Sequence, residues 1–457
     1  MSPASGSRRN LPYVDPASFT PQFAWKKARK GSGREVFCEG VTLREIASRY
    51  GTPVYVYSER AIEDAFNELD RGLHRVPHLL CFAVKANGNL SILRLLAKRG
   101  SGFDIVSGGE LEHLSRIGVP GNRIVFSGVG KTREEIRAGL AYKHKGKSDT
   151  GILQFNVESA EELEVLLQES SRRRNGRGQL PGVSLRVNPD VKAGGHPHIS
   201  TGLSQHKFGV SWPDARALYL QHRNSKQIRW QGISAHIGSQ IVGLGPFREA
   251  LNRLAGYLLD LRTEGIVLKY LDFGGGLGVR YTDELPVPRK AYARMIAEMV
   301  RPLAVGLLLE PGRSIIAPAG VLLSNVIYTK KKSSKSFVIV DAAMNDLVRP
   351  VLYDAPHPIT CIRQSGSKQD HVAGRVDIVG PVCETGDCFL QEWPLGKVQP
   401  GDTLAIWTAG AYGMVQSSNY NGRCRPAEVL VNGKRARLIR RRETQTDVLR
   451  TDLFAGS

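Results

Sequence analysis

Between residues 78 and 312 the chain repeats one unit eight times: a short apolar run, a polar or glycine stop, then a helical pattern. The runs are "HLLCFAVK", "GFDIVS", "RIVFSG", "GILQFNV", "GVSLRVN", "QGISAHIG", "LKYLDFGGG" and "GLLLEPG". Several are apolar throughout, as strands of a parallel sheet covered on both faces should be. Between them lie segments such as "NLSILRLLAKRG", with Ile92, Leu93, Leu96 and Ala97 on one face. "FREALNRLAGYLLDLRTEG" likewise repeats Leu251, Leu254, Leu258 and Leu261 at helical spacing. Eight such units predict a TIM (β/α)8 barrel; a doubly wound open sheet usually needs fewer strands.

In that fold all strand ends converge on one rim, where the active site lies. The runs end in Lys85, Asp104, Ser127, Asn156, Arg186, His236, Gly274 to Gly276, and Glu310. A lysine alone at a strand end is ordinarily a solvated one. A lysine, an arginine, a histidine, a glutamate and a triple glycine on one rim form a site composition. Gly274, Gly275 and Gly276 are expected to offer backbone N–H groups to an anion, with no Cβ in the way. Ser239 of "HIGSQ" adds a hydroxyl, and "EPGR" places Gly312 in a turn with Arg313 just beyond. An anion cradle, an amine and a carboxylate suit pyridoxal 5'-phosphate. The cradle would take its phosphate, Lys85 its aldehyde as a Schiff base, Glu310 its ring nitrogen, and His236 one ring face.

After "EPGRSIIAPAG" the pattern turns to β segments punctuated by Gly and Pro, as in an all-β domain. "VFCEGV" at 36–41 is expected to join that sheet, giving a β-barrel or sandwich domain built from both chain ends with the barrel inserted. The expected division is a mobile basic arm over 1–34, an N-terminal strand of the β domain over 35–51, the barrel over 52–312 and the C-terminal β domain over 313–457. Loops of the β domain carry Arg349, Tyr353, Cys383, Glu384 and Tyr412, a set able to bind carboxylates and ammonium groups and to move protons.

Bulk properties exclude several classes. No stretch approaches the ~18 consecutive apolar residues of a membrane span. The net charge of +20 is dispersed, without zinc-finger spacing or an RNP-like motif, so a charged surface or an anionic ligand is favoured over nucleic acid. Six scattered cysteines fit a reducing cytoplasm and no disulfide scaffold. Cys383 and Cys388 form one C-x4-C without partner histidines, so no metal is expected.

Over residue 36 to the "RRRET" near the C-terminus, the chain resembles the diaminopimelate decarboxylase family. That family lies in the alanine racemase-like, fold type III group of pyridoxal phosphate-dependent decarboxylases. The motifs are "AVKAN", "GFDIVSGGEL", "HIGSQI", "GGGLG", "EPGRS", "MNDLVRPVLYDA", "GPVCETGD" and "SSNYN". The resemblance implies decarboxylation of meso-2,6-diaminopimelate to L-lysine and CO2, the last step of lysine synthesis. It implies a cofactor site of Lys85, Asp104, Arg186, His236, Ser239, Gly274, Gly275, Gly276, Glu310, Gly312, Arg313 and Tyr412. Arg313, Arg349, Tyr353, Glu384 and Tyr412 would bind substrate, and Cys383 would return a proton. It also implies a homodimer with shared sites, the loop of Cys383 and Glu384 reaching the partner's barrel. Thr385 stands where the family usually has serine, and keeps a hydroxyl. The insertion at 143–149 and the basic arm have no assigned role. Two readings stay open beside it. One is a related decarboxylase of ornithine, arginine, D-ornithine or carboxynorspermidine; the other is a non-catalytic cofactor-binding regulator.

Overall fold

The computed structural model describes residues 15, 18–28, 33–143, 151–173, 180–192, 207–364 and 374–454. The chain divides into two compact units, one of residues 63–279 and 286–315 and the other of residues 1–62, 280–285 and 316–457.

The first unit is a closed barrel of eight parallel strands. In chain order they are β1 His78–Ala83, β2 Gly102–Ile105, β3 Ile124–Phe126 and β4 Gln154–Val157. They continue with β5 Gly182–Arg186, β6 Arg229–Ser234, β7 Tyr270–Asp272 and β8 Gly306–Leu309. Each pairs with its sequence neighbours, and β8 closes on β1 through Leu307–His78, Leu308–Leu79 and Leu309–Leu80. All eight strands coincide with the eight apolar runs.

Local chemistry starts and stops the covering helices. Helix Gly108–Ile117 begins where the Ser107 hydroxyl accepts the N–H of Glu110, and ends at Gly118 in the left-handed region. Helix Arg133–Ala141 opens with a capping box between Thr132 and Glu135. Helix Gly245–Thr263 buries Phe247, Ala250, Leu251, Leu254, Leu258 and Leu261. At ~1.5–3 kcal/mol for each large apolar side chain, that stripe outweighs any propensity effect in fixing the helix on the barrel.

The second unit holds a nine-stranded sheet. Its inner strand Val54–Ser58 runs antiparallel to Gly320–Lys331 and parallel to Ala427–Asn432. The expected division put residues 54–58 with the barrel, but their backbone groups pair in this sheet. The expected partner from the N-terminal segment, 36–41, lies elsewhere. Arg34–Cys38 pairs with Phe23–Lys27, Val41–Thr42 and Arg363–Gln364 in a separate four-stranded sheet. Phe23–Lys27 is thus an ordered strand within the segment expected as a mobile arm. Its Phe23 is fully buried in one core with Val36, Val54, Leu323, Trp407 and Val429. The first fourteen residues and most of the insertion, 144–149, lie outside the described residues.

Candidate active site

Lys85 sits in a single turn, Val84–Ala86, directly after β1. The N–H of Ala83 donates to the Pro311 carbonyl at 3.1 Å, tying the end of β1 to the chain leaving β8. Lys85 Nζ donates to Asp104 Oδ2 at 2.6 Å. Asp104, in β2, is fully buried, while the Lys85 side chain keeps 38% of its exposure. Asp104 Oδ1 is buried and has no hydrogen-bond partner among the described residues.

Glu310 follows β8, and its N–H donates to the Gly274 carbonyl at 2.7 Å. Its Oε1 accepts from Ser127 Oγ at 3.2 Å and Asn156 Nδ2 at 3.3 Å. The same amide donates to Asp272 Oδ2 at 2.9 Å, and Gln154 Nε2 supports it by donating to Asn156 Oδ1 at 2.9 Å. Burial, then Asp104 and Asp272, push the Glu310 carboxyl well above its ordinary range, against Lys85 and Arg186. Burial also lifts Asp272 to about 6, against hydrogen bonds from Asn156 and the Gly274 N–H. Arg186 offers little relief, because its Nη1 donates to the buried Glu158 at 2.9 Å. Lys85, which already donates to Asp104, is thus the main cation acting on the buried carboxyls of Asp104 and Glu310. The charge balance of this interior has a place for one more positive group.

Packing gives the glycine run a reason of its own. A Cβ on Gly274, Gly275 or Gly276 would stand 2.7, 2.3 or 2.6 Å from the carbonyl oxygen of Ala235, Glu310 or Gly238. Gly274 and Gly276 also have φ of 64° and 107°. Close approach of the β6, β7 and β8 ends is what demands glycine here. Two of the three N–H groups are used internally, Gly274 on Asp272 Oδ1 and Gly275 on His236 Nδ1, both at 3.1 Å. Of the three, Gly276 alone has no acceptor for its N–H among the described residues. Because His236 Nδ1 accepts, its proton sits on Nε2. Desolvation, then Arg186 and Lys85, hold its pKa well below the ordinary value, so the ring is neutral. Beside this rim, the buried Arg313 donates through Nη2 to Ser239 Oγ at 3.0 Å. The Gly312 carbonyl accepts the Ile315 N–H at 3.1 Å.

The remaining candidates lie in the second unit. Arg349 is buried, with Nη1 2.8 Å from His357 Nε2 and its guanidinium 4.8 Å from the centre of the Tyr281 ring. His357 Nδ1 donates to the Trp407 carbonyl at 2.8 Å, which leaves Nε2 to accept from Arg349. Tyr353 ends the short helix Arg349–Tyr353, and its hydroxyl accepts from Gln416 Nε2 at 3.4 Å. Tyr412 is half-buried with φ of 57°. Cys383 and Glu384 are exposed on one loop. The Cys383 N–H donates to Asn421 Oδ1 at 3.2 Å, and the Tyr420 hydroxyl donates to Glu384.

Sequence reasoning missed two residues that organise these groups. Asp272 is a buried carboxylate inside the run "LKYLDF", and a charge within an apolar strand is itself the signal. Asp387 accepts the N–H groups of Met344 at 2.7 Å and Val382 at 2.8 Å, joining the "MND" loop to the Cys383 loop.

Residues 59–317 match the pyridoxal-dependent decarboxylase family, pyridoxal binding domain. Over 424 residues the chain is 48% identical to the diaminopimelate decarboxylase of Pseudomonas fluorescens, covering 93% of this chain and 97% of that one. The chain belongs to the diaminopimelate decarboxylase family. The solved diaminopimelate decarboxylase from Helicobacter pylori complexed with L-lysine is 39% identical, with a TM-score of 0.82 over 89% of this chain and 98% of that one. The one from M. jannaschii in co-complex with L-lysine is 35% identical, with a TM-score of 0.84 over 94% and 98%. As a member of this family the chain is a carboxy-lyase of the pyridoxal-dependent class. Among the described residues no helix is long and apolar enough to cross a membrane.

Proposed function

We propose that this chain decarboxylates meso-2,6-diaminopimelate to L-lysine and CO2 with pyridoxal 5'-phosphate, as a cytoplasmic homodimer completing lysine biosynthesis. The observation that carries the reading is the buried cluster of Asp104, Asp272 and Glu310 next to the Lys85 amine, in which burial pushes Glu310 and Asp272 toward their protonated forms. A protonated pyridine nitrogen beside Glu310 would let that carboxyl ionise. Asp104 Oδ1, buried without a partner among the described residues, likewise fits a polar group brought by the cofactor. Lys85 would hold the cofactor's aldehyde carbon, and Glu310, ionised by the ring it faces, would keep the ring nitrogen protonated. The Gly276 N–H, Ser239, Gly312 and Arg313 would take the phosphate. His236 would cover a ring face, and Arg186 and Tyr412 would complete the cofactor's surroundings. When bound, pyridoxal phosphate supplies an electron sink for the bond that breaks to CO2.

Arg313, Arg349 and Tyr353 would bind the substrate's far carboxylate, and Tyr412 would line the substrate site. The Cys383 thiol would carry the proton that replaces the lost carboxylate, and Glu384 would bind the far ammonium group. Both are exposed in this chain, which supports their serving a partner subunit's barrel. The lysine-bound relatives support lysine as product, and six free thiols suit a reducing compartment. The deciding experiment measures CO2 release from meso-diaminopimelate, ornithine and arginine. Release from diaminopimelate is expected at least a hundredfold above the other two; preference for ornithine or arginine would overturn the substrate assignment.

A further inference from the structure

At the N-terminal ends of β7, β8 and β1, opposite the rim of Lys85 and Glu310, the barrel has a cleft of about 550 Å³. That volume is in the range of small-molecule sites. Three cations line it: Arg75, ahead of β1; Lys269, ahead of β7; and Arg301, in the turn ahead of β8. All three are exposed, and none has a carboxylate partner among the described residues. The rest of this face is different. Arg216 pairs with Glu264, Arg99 with Glu63, and His78 with Asp70 at 3.2 Å.

Arg301 follows helix Arg289–Val300, where a cation is favoured by the helix dipole alone. Arg75 lies three residues beyond helix Glu59–Gly72, but Lys269 lies six beyond helix Gly245–Thr263, outside the last turn where that effect acts. Between them the lining is apolar, from Val76, Pro77, Val267, Leu268 and Val305, with Val267 73% exposed to solvent. Cations around an apolar floor select a ligand with at least two negative charges and a carbon body. The geometry points to a second binding site on the barrel, for a small organic polyanion such as a phosphate ester. It is separate from the cofactor site and does not depend on which amino acid the chain decarboxylates.

The test uses the full-length chain with pyridoxal phosphate in excess, so that the cofactor's own phosphate site is filled. Calorimetric titration with phenyl phosphate, inorganic phosphate and benzyl alcohol separates the charge from the carbon body. Phenyl phosphate is expected to bind at least fivefold more tightly than inorganic phosphate, and benzyl alcohol not to bind. Arg75→Gln/Arg301→Gln should weaken phenyl phosphate at least tenfold, and Lys269→Gln at least threefold. Decarboxylation and cofactor absorbance should stay as in the parent. No phenyl phosphate binding at millimolar concentration, or equal binding by parent and double variant, would overturn the site. So would displacement of the cofactor in step with the binding heat.

Discussion

Asp272 and Glu310 share one donor, the Nδ2 of Asn156, at 2.9 and 3.3 Å. Two carboxyl groups drawn to one amide in a buried site cannot both ionise freely. A cation beside Glu310 changes that balance, and Glu310→Gln removes the charge while keeping the shape. Removing one partner of a buried ion pair costs ~3–5 kcal/mol. If half of that or more is felt in the transition state, turnover should fall by roughly ten- to seventyfold or more. A Glu310→Gln enzyme within threefold of the parent kcat would mean that the glutamate faces something other than the ring nitrogen.

Lys85 carries a second prediction. Its amine is fixed by Asp104 at 2.6 Å, at the end of a strand whose own N–H is tied to Pro311. Borohydride reduction of the cofactor-loaded protein should leave the cofactor on the peptide containing Lys85. Lys85→Ala should lose both the label and the visible absorbance while keeping its fold, because a partly exposed side chain contributes little to the core. Mass spectrometry that finds the label on another lysine would sink the assignment.

What could be read from the chain follows from where the physics is local. The barrel strands were legible because each buried run ends at a polar or glycine residue within a few positions. Lys85, Glu310 and Arg313 were legible for the same reason, as chemistry at strand ends. The three glycines are legible as a run, but the packing that demands them is not: their Cβ clashes are with Ala235, Glu310 and Gly238, contacts between strands far apart in sequence. The sequence groups Val54–Ser58 with the barrel domain because nothing in "VYVYS" names its partners, residues 320–323 and 427–431. Asp387 was invisible for a related reason. An aspartate in a glycine-rich loop reads as a turn residue until Met344 is seen donating to it.

Asp387 should therefore act as a positioning residue for Cys383 and Glu384. Asp387→Ala leaves the N–H groups of Met344 and Val382 without their acceptor, at about 1–3 kcal/mol each. The expected result is a kcat lowered at least tenfold with cofactor absorbance unchanged, since the loss is confined to loops of the sheet unit. Asp387→Asn should recover part of the rate, because its amide oxygen can serve one of the two donors. Parent kcat in the alanine variant, or parallel loss of cofactor, would count against this role.

Asp346 should make stability depend on pH. Burial lifts its carboxyl from the ordinary 3.8 to about 7, against hydrogen bonding from the Ala343 N–H and attraction to Arg423. Between those values the folded chain binds a proton that the unfolded chain has lost. Stability therefore falls as pH rises through this window, by up to roughly 4 kcal/mol for this one group. Asp346→Asn cannot ionise, so its stability relative to the parent should increase from about pH 5 to about pH 8.5. Urea unfolding of both proteins at the two pH values checks it. A parent-to-variant difference that does not change with pH would show that Asp346 is not the titrating group.

The last prediction concerns which chain supplies Cys383. Lys85→Ala and Cys383→Ala chains should each be inactive as homodimers. If sites are shared between subunits, a mixed dimer has one site carrying both lesions and one carrying neither. Random pairing of an equal mixture makes about half of the dimers mixed, so about a quarter of all sites should work, by counting for a twofold assembly. If each chain instead supplied its own Lys85 and Cys383, every site would carry a lesion and mixing would restore nothing. Differently tagged parent chains must first be shown to exchange subunits, because a dimer that never dissociates gives the same null. With exchange established, recovery near a quarter of parental activity assigns Cys383 to the partner's barrel, and no recovery assigns it to its own.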